Sequence, residues 1–179
     1  PETVLLQTRA DLQPTHGLAR DLVFKPVWSR FASQVLLRPS PGELDAVNPS
    51  PAAAWVAQRF VLGEEISAYA VARGGRLKAF SLYRSLFRAG KGAGILFEPV
   101  DDAAARRLVE RIVAATSWTG QISFDLMRQA DGKVLPLECN PRAVSGLHLF
   151  RDASRFAEAL LGDGPEVAPD VAAPQTVRL

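Results

Sequence analysis

The sequence predicts an α+β fold rather than a doubly wound one, because strands and hairpins outnumber helices and do not alternate with them. Three stretches carry this expectation. Gln121 to Leu149, QISFDLMRQADGKVLPLECNPRAVSGLHL, reads as two short strands around Asp131-Gly132, a dipeptide suited to a turn with positive φ. Glu65 to Arg73 and Arg76 to Phe87 read as a second hairpin around Gly74-Gly75. Asp102 to Ser117 is the clearest helix, with Asp101 or Asp102 as its cap. Ala104, Ala105, Leu108, Ile112 and Val113 form its apolar stripe, and Arg106, Arg107, Glu110 and Arg111 its solvated face.

The remaining elements follow in chain order. Val4-Leu5-Leu6 is a short strand, and Thr8 is placed to cap a brief helix through Leu12, ended near Pro14. Leu22 to Val27 is a strand with Lys25 among apolar neighbours, and Val35 to Arg38 returns as another. Pro39 to Pro51, with four prolines, is expected to be an irregular connector. Ala54 to Val61 is a mostly buried strand ended by Leu62-Gly63, and Ile95 to Glu98 is a short one. Asp152 to Leu161 makes the last helix, and the Pro/Ala-rich stretch from Gly162 is expected to be a tail or small edge piece.

Composition bounds the function. The 179 residues suit one domain, or two small lobes sharing a site, and 47% hydrophobic content can bury a real core. A formal charge of +2 without any Lys/Arg-rich run is too small to argue for nucleic acid by itself, and a nucleic-acid binder would rest only on the pI of 9.1. No stretch approaches the ~20 apolar residues of a membrane span, and none resembles a signal peptide. A single cysteine excludes an internal disulfide framework and fits a reducing, cytoplasmic compartment. Cys139 lies between Glu138 and Asn140 in the alternation, so a core thiol on the opposite face is expected rather than a nucleophile. Oligomeric state cannot be read from the sequence.

The chemistry is concentrated in the hairpin after Gly120. Ile122, Phe124 and Leu126 alternate with Ser123, Asp125 and Met127, and the second strand puts Glu138 and Asn140 on one face. Asp125 is able to face them across the hairpin. Two carboxylates and an amide oxygen make an all-oxygen donor set, which suits Mg²⁺ rather than zinc. The plainer reading, a solvated hairpin face, is opposed by the fixed cation Arg142 just beyond the acids, an arrangement fit for polyphosphate plus metal.

Glu138-Cys139-Asn140-Pro141-Arg142 after a short strand, with Asp125 in the strand before, resembles the metal-binding end of the ATP-grasp family. These are ATP-dependent carboxylate-amine ligases and their carbamoyl-phosphate-synthase-like relatives. The resemblance implies that Asp125, Glu138 and Asn140 hold Mg²⁺, with Mn²⁺ as a possible substitute, between the phosphate oxygens of ATP. Lys25-Pro26 after a β run resembles the family lysine that contacts nucleotide phosphate, although such a lysine can also snorkel to the surface. Gln58-Arg59-Phe60-Val61-Leu62-Gly63-Glu64-Glu65 resembles the hinge between the family's two lobes. There Gln58 would read the adenine amino group, the main chain of Arg59, Phe60 and Val61 the ring edge, and Glu65 the ribose hydroxyls. Arg84, next to a basic glycine-rich piece at Arg88 to Gly94, would orient phosphates with Lys25. That piece reads equally as a phosphate or acceptor loop and as an exposed one. His148 either touches substrate or is a satisfied structural histidine, and the latter is expected.

The resemblance covers Leu22 to Phe150 and implies two α+β lobes with mainly antiparallel sheets enclosing a nucleotide site. Residues 1–60 would be a partial first lobe, 61–161 the second lobe with the metal hairpin, and 162–179 a tail. The chain begins at Pro1, so a trimmed fragment lacking an upstream substrate domain of the same protein is expected. The activity implied is Mg²⁺- and ATP-dependent activation of a small-molecule carboxylate as an acyl phosphate, captured by an amine. Arg142 would stabilise charge on the phosphoryl group or tetrahedral intermediate. One feature departs from the family: the segment after Lys25, Trp28-Ser29-Arg30-Phe31-Ala32-Ser33, has no glycine where a pliant lid is usual. It favours the alternative of a non-catalytic, lapsed nucleotide-binding module of the same fold.

Overall fold

The computed structural model describes residues 1–28, 34–89 and 93–176. The lid residues Ser29, Arg30 and Ser33, and Lys91 of the glycine-rich piece, lie outside them. The chain divides into two compact units, with the boundary at Val61/Leu62.

The first unit is a four-stranded sheet in the order β1-β4-β2-β3, made of β1 (Thr3–Leu6), β2 (Leu22–Pro26), β3 (Leu36–Leu37) and β4 (Trp55–Arg59). Thr8 caps α1 (Arg9–Leu12) as the sequence predicts, in a capping box that returns the Asp11 carboxylate to the Thr8 N–H. The chain does not stop at Pro14: a 3₁₀ helix continues from Gln13 to Asp21, since proline in a first turn costs no hydrogen bond. The proline-rich connector likewise contains α2 (Pro41–Asp45). Ser40 and Glu43 form its capping box and Pro41 opens its first turn. Leu44, fully buried, joins Leu6, Leu12, Ala19, Phe24, Val47 and Ala57 in the core of this unit.

The second unit is a six-stranded sheet in the order β10-β7-β6-β5-β8-β9. Its strands are β5 (Glu64–Arg73), β6 (Arg76–Ala89), β7 (Ala93–Pro99), β8 (Gly120–Arg128), β9 (Val134–Asn140) and β10 (Gln175–Thr176). The central strand β5 pairs antiparallel with β6 and β8, and β8 with β9. Both predicted turns form. Gly74 and Gly75 have φ of +53° and +78°, and Gly132 has +81°, values that would strain any residue with a Cβ.

Period-2 alternation sorts the side chains of this sheet onto two faces. Ile66, Ala68, Ala70 and Ala72 of β5, with Phe80, Leu82, Ile122, Phe124 and Leu126, meet Ala105, Val109 and Val113 of α3 (Ala103–Ala115). The small alanines of the central strand leave depth for the α3 valines, each worth roughly 1.5–3 kcal/mol when fully buried. Asp102 caps α3, accepting from the Ala105 N–H at 2.9 Å. The other face carries Tyr69, Val71, Tyr83 and Phe97, packed by Leu149, Phe150 and Ala159, the last on α4 (Ala153–Leu161). Of the two expectations for the stretch after Gly162, the small edge piece is the one that forms, with β10 at the edge of the sheet. Val167 and Val171 are buried in this second core, Val167 N–H donates to Lys78 O, and β10 pairs with β7. Its spaced valines are what held it down, and the Pro/Ala content masked them.

β9 contains a bulge that decides the chemistry of its end. Val134, Leu135 and Pro136 lie opposite Arg128, Met127 and Leu126, but Asp125 is opposite Glu138. Leu137 is the extra residue. Without it the register would put Leu137 opposite Asp125 and turn Glu138 to the α3 face beside Phe124, since a one-residue slip reverses every side chain.

Candidate functional site

Two parallel rows of side chains cross four strands of the second unit on its Asp125 face. One runs Tyr83–Ser67–Asp125–Glu138, each residue directly opposite the next. Its neighbour runs Ser81–Tyr69–Ser123–Asn140 in the same way. Asp125, Glu138 and Asn140, named from the sequence, therefore share one face at adjacent ladder positions.

The first row is electrostatically loaded. Burial pushes the Asp125 carboxyl above its ordinary range, and the charges of Glu138 and Glu65 push it further. A hydrogen bond from Ser67 Oγ to Asp125 Oδ1 at 3.1 Å and the positive charge of Arg88 oppose that rise. Tyr83 is 5% exposed, and burial together with the Asp125 charge raises its hydroxyl to about 12, so it stays a neutral donor. Such an acidic face gains from a hard cation, and two carboxylates with an amide oxygen are a donor set that Mg²⁺ accepts. Among the described residues no cluster of three or more His, Cys, Asp or Glu side chains is placed to hold a metal, so the fit depends on Asn140.

The segment leaving β9 is anchored back across the rows. Arg142 N–H donates to Asn140 O at 2.8 Å, closing a tight turn, and its guanidinium is exposed. A 3₁₀ helix then runs from Ser145 to Leu149, and Gly146 O accepts from Ser81 Oγ at 3.0 Å. A Cβ on Gly146 would lie 2.5 Å from Tyr69 Cβ, 2.8 Å from Tyr83 Cε1 and 2.9 Å from Ser81 Oγ. The positive charge of Arg142 reaches the Tyr83 hydroxyl and opposes its rise.

Several expectations are corrected. Arg84 lies on the α3 face, opposite to Asp125, where it is held by Glu64 at 2.9 Å and Glu98 at 2.5 Å. Glu64 also pairs with Arg128, which reaches Asp102, and the two arginines hold its carboxyl below the ordinary range. Arg84 is thus committed to a structural ion-pair chain. Arg88, 2.6 Å from Glu65, is a cation whose charge reaches Asp125. Alternation was the available signal, because Arg84 is even-numbered like Ile66 and Leu82 and so faces α3. Cys139 is exposed on the edge strand, not buried in a core, and partial burial with the Glu138 charge raises its thiol. It faces away from Glu138 as predicted, but β9 is the last strand and little covers it. His148 is exposed rather than a satisfied structural histidine. Ser67, Ser123 and Tyr83 were not picked out by sequence reasoning, although Ser67 falls two residues after Glu65 in the same alternation.

In the first unit Lys25 and Gln58 share a face of the sheet. Lys25 is opposite Val56 and Gln58 opposite Val23, and Lys25 Nζ donates to Gln58 Oε1 at 3.3 Å. The Gln58 amide N donates to Thr3 Oγ1 at 3.1 Å. The N–H groups of Arg59 and Phe60 donate to Glu2 O and Asp21 O at 2.9 and 2.8 Å. Those two donors are engaged within the chain, which corrects the expectation that the main chain of all three residues, Arg59 to Val61, is open to a ring edge. The Phe60 ring lies under the Arg38 guanidinium, 5.3 Å from its centroid.

Neither a family model nor a curated protein matches this sequence. Solved structures do. A phosphoribosylamine–glycine ligase of Thermotoga maritima matches with a TM-score of 0.74 at 18% identity, over 97% of this chain and 52% of that one. An ADP complex of an N5-carboxyaminoimidazole ribonucleotide synthetase matches with a TM-score of 0.68 at 16% identity, over 97% and 50%. The ATP-grasp ligase PsnB, complexed with a minimal precursor, Mg and ADP, matches at 0.55 and 16% identity, over 81% and 46%. The chain has the ATP-grasp fold, α+β with two mainly antiparallel sheets, and spans about half the length of these structures. No helix among the described residues is long and apolar enough to cross a membrane.

Proposed function

We propose that this protein is an ATP- and Mg²⁺-dependent ligase that activates a small-molecule carboxylate as an acyl phosphate, which an amine or similar nucleophile then captures. The observation that carries this is the in-register row ending in Asp125 and Glu138, with Asn140 at the next same-face position. Names among the structural neighbours support the reaction class: phosphoribosylamine–glycine ligase, L-amino acid ligase and an ATP-grasp ligase complexed with Mg and ADP.

Asp125, Glu138 and Asn140 are the residues that would hold Mg²⁺, which when bound draws charge from the phosphates. The rest falls to side chains of this chain. Lys25 meets phosphate already charged in the ground state, and Gln58 offers an amide to the adenine amino edge. Glu65 receives the ribose hydroxyls once it is released from Arg88. Arg142, fixed at its main chain and exposed at its guanidinium, which donates to Ala143 O at 3.3 Å, meets negative charge that grows on the transferring group or the tetrahedral oxygen. Catalysis of this kind is mostly positioning and electrostatics.

The test is trapping. The 179-residue protein is incubated with Mg-ATP, hydroxylamine and a panel of amino acids and short peptides, and hydroxamate and ADP are followed. Both should appear together, and only with a cognate carboxylate. Arg142→Ala should lower kcat about 10²–10³-fold with KM for ATP little changed, because its interaction is made in the transition state. Lys25→Ala should raise that KM as well. No hydroxamate across the panel from a protein that binds Mg-nucleotide would count against ligase activity of these 179 residues, and the same result with the upstream domain restored would identify the lapsed module.

A further inference from the structure

We infer that Ser67 is a positioning residue for the metal ligand Asp125, a role that rests on the metal assignment just proposed. Asp125 is under strain of a particular kind. Its carboxylate is largely withdrawn from water on the inner part of the sheet, opposite Glu138 and within the field of Glu65. Facing like charges favour rotating the group away, which would spoil a cation site. One hydrogen bond to the Asp125 side chain is found among the described residues, and it comes from Ser67 Oγ.

Ser67 is well placed for this because it lies directly between two fixed neighbours. It is opposite Asp125 on one side and opposite Tyr83 on the other. The Tyr83 ring is buried, packed edge-on to Phe97 at 5.3 Å and close to Gly146, so the neighbour on that side of Ser67 is itself fixed. The Tyr83 hydroxyl faces Ser67 and the Gly146 main chain. A serine hydroxyl donates one bond and accepts two, so Ser67 can accept on the Tyr83 side while donating to Asp125 Oδ1. No hydrogen bond to Asp125 Oδ2 is found among the described residues, so that oxygen is the one left for a ligand. Groups that hydrogen-bond a ligating side chain typically govern metal affinity by 10–100-fold.

The experiment is calorimetry of a non-hydrolysable ATP analogue on the full chain, with Mg²⁺ and with EDTA, for wild type, Ser67→Ala and Ser67→Thr. Ser67→Ala should weaken binding about tenfold in Mg²⁺ and leave the EDTA affinity unchanged. Ser67→Thr, which keeps the hydroxyl and suits a strand, should restore the Mg²⁺ value. Thermal melts of the three proteins should be close, since alanine here opens no cavity. Equal losses with and without metal would mean a general structural role and overturn the inference. So would a Ser67→Ala protein that binds Mg-nucleotide as wild type does, or a threonine variant that fails to recover. A wild-type protein indifferent to Mg²⁺ would overturn the metal assignment and this inference together.

Discussion

Replacing Gly146 by alanine is the sharpest test of the packing that sets the Arg142 segment. The added methyl carbon would sit 2.5 Å from Tyr69 Cβ, 2.8 Å from Tyr83 Cε1 and 2.9 Å from Ser81 Oγ. None of these can give way cheaply. Tyr69 is fully buried, with its hydroxyl bonded to Gln121 at 2.6 Å and its ring against Phe150 and Phe156. Ser81 is 1% exposed and already donates to Gly146 O. Overpacking a closed site costs about 1–3 kcal/mol. The loss of backbone freedom in the unfolded chain returns ~0.4–1 kcal/mol of that. A net loss of about 1–2 kcal/mol in a protein of this size lowers Tm by roughly 2–8 °C. Gly164→Ala is the control, since nothing lies within 4 Å of its added carbon. Differential scanning calorimetry should show the loss in Gly146→Ala alone. A Gly146→Ala melt that matches Gly164→Ala would refute the described closure of Tyr69, Tyr83 and Ser81 over this residue.

Two further outcomes follow from charge and polarity. Asp125→Asn should raise Tm at pH 7 while abolishing the Mg²⁺ response, because it removes a buried carboxylate facing Glu138 and keeps an oxygen for Ser67. The sign is that of a raised carboxyl: the folded state is penalised above the folded pKa, and the penalty fades as pH falls through it. The stabilisation by Asp125→Asn should therefore shrink on acidification, which melts at pH 7 and pH 4 will check. Competition binding should also rank ATP above GTP. Guanine presents a carbonyl to the Gln58 amide oxygen where adenine presents an amino group, and setting acceptor against acceptor costs ~1–3 kcal/mol. Equal affinities would remove Gln58 from the adenine site.

The elements legible in the sequence were those set by local signals. Asp131-Gly132 and Gly74-Gly75 marked turns that form, and Thr8 and Asp102 marked caps that form. The missed helix at Pro41–Asp45 carried the same kind of signal, Ser40-x-x-Glu43 with proline at the first position, but four prolines drew the reading toward an irregular connector. What could not be read was settled by non-local pairing. Arg84 was assigned to phosphate because it is basic and near a glycine-rich stretch. Its partners Glu64 and Glu98 come from β5 and β7, and only the sheet order brings them to it. Cys139 was expected in a core because strand alternation tells which face a residue takes, not whether anything covers that face. β9 is an edge strand, so the thiol is open. The bulge at Leu137 is the subtlest case. Alternation counted back from Asn140 gives the correct face for Glu138, whereas alternation counted forward from the turn gives the wrong one.

The central claim is that Glu138, turned to the Asp125 face by that bulge, helps bind a divalent cation on nucleotide phosphate. Calorimetry of a non-hydrolysable ATP analogue against wild type and Glu138→Gln, each with Mg²⁺ and with EDTA, tests it directly. Glutamine matches the shape and removes one charge from an exposed side chain, so folding should be retained. Wild type should bind more tightly with Mg²⁺ than without, and Glu138→Gln should lose that gain while its EDTA affinity stays the same. A Glu138→Gln protein that keeps the full Mg²⁺ enhancement would contradict the account.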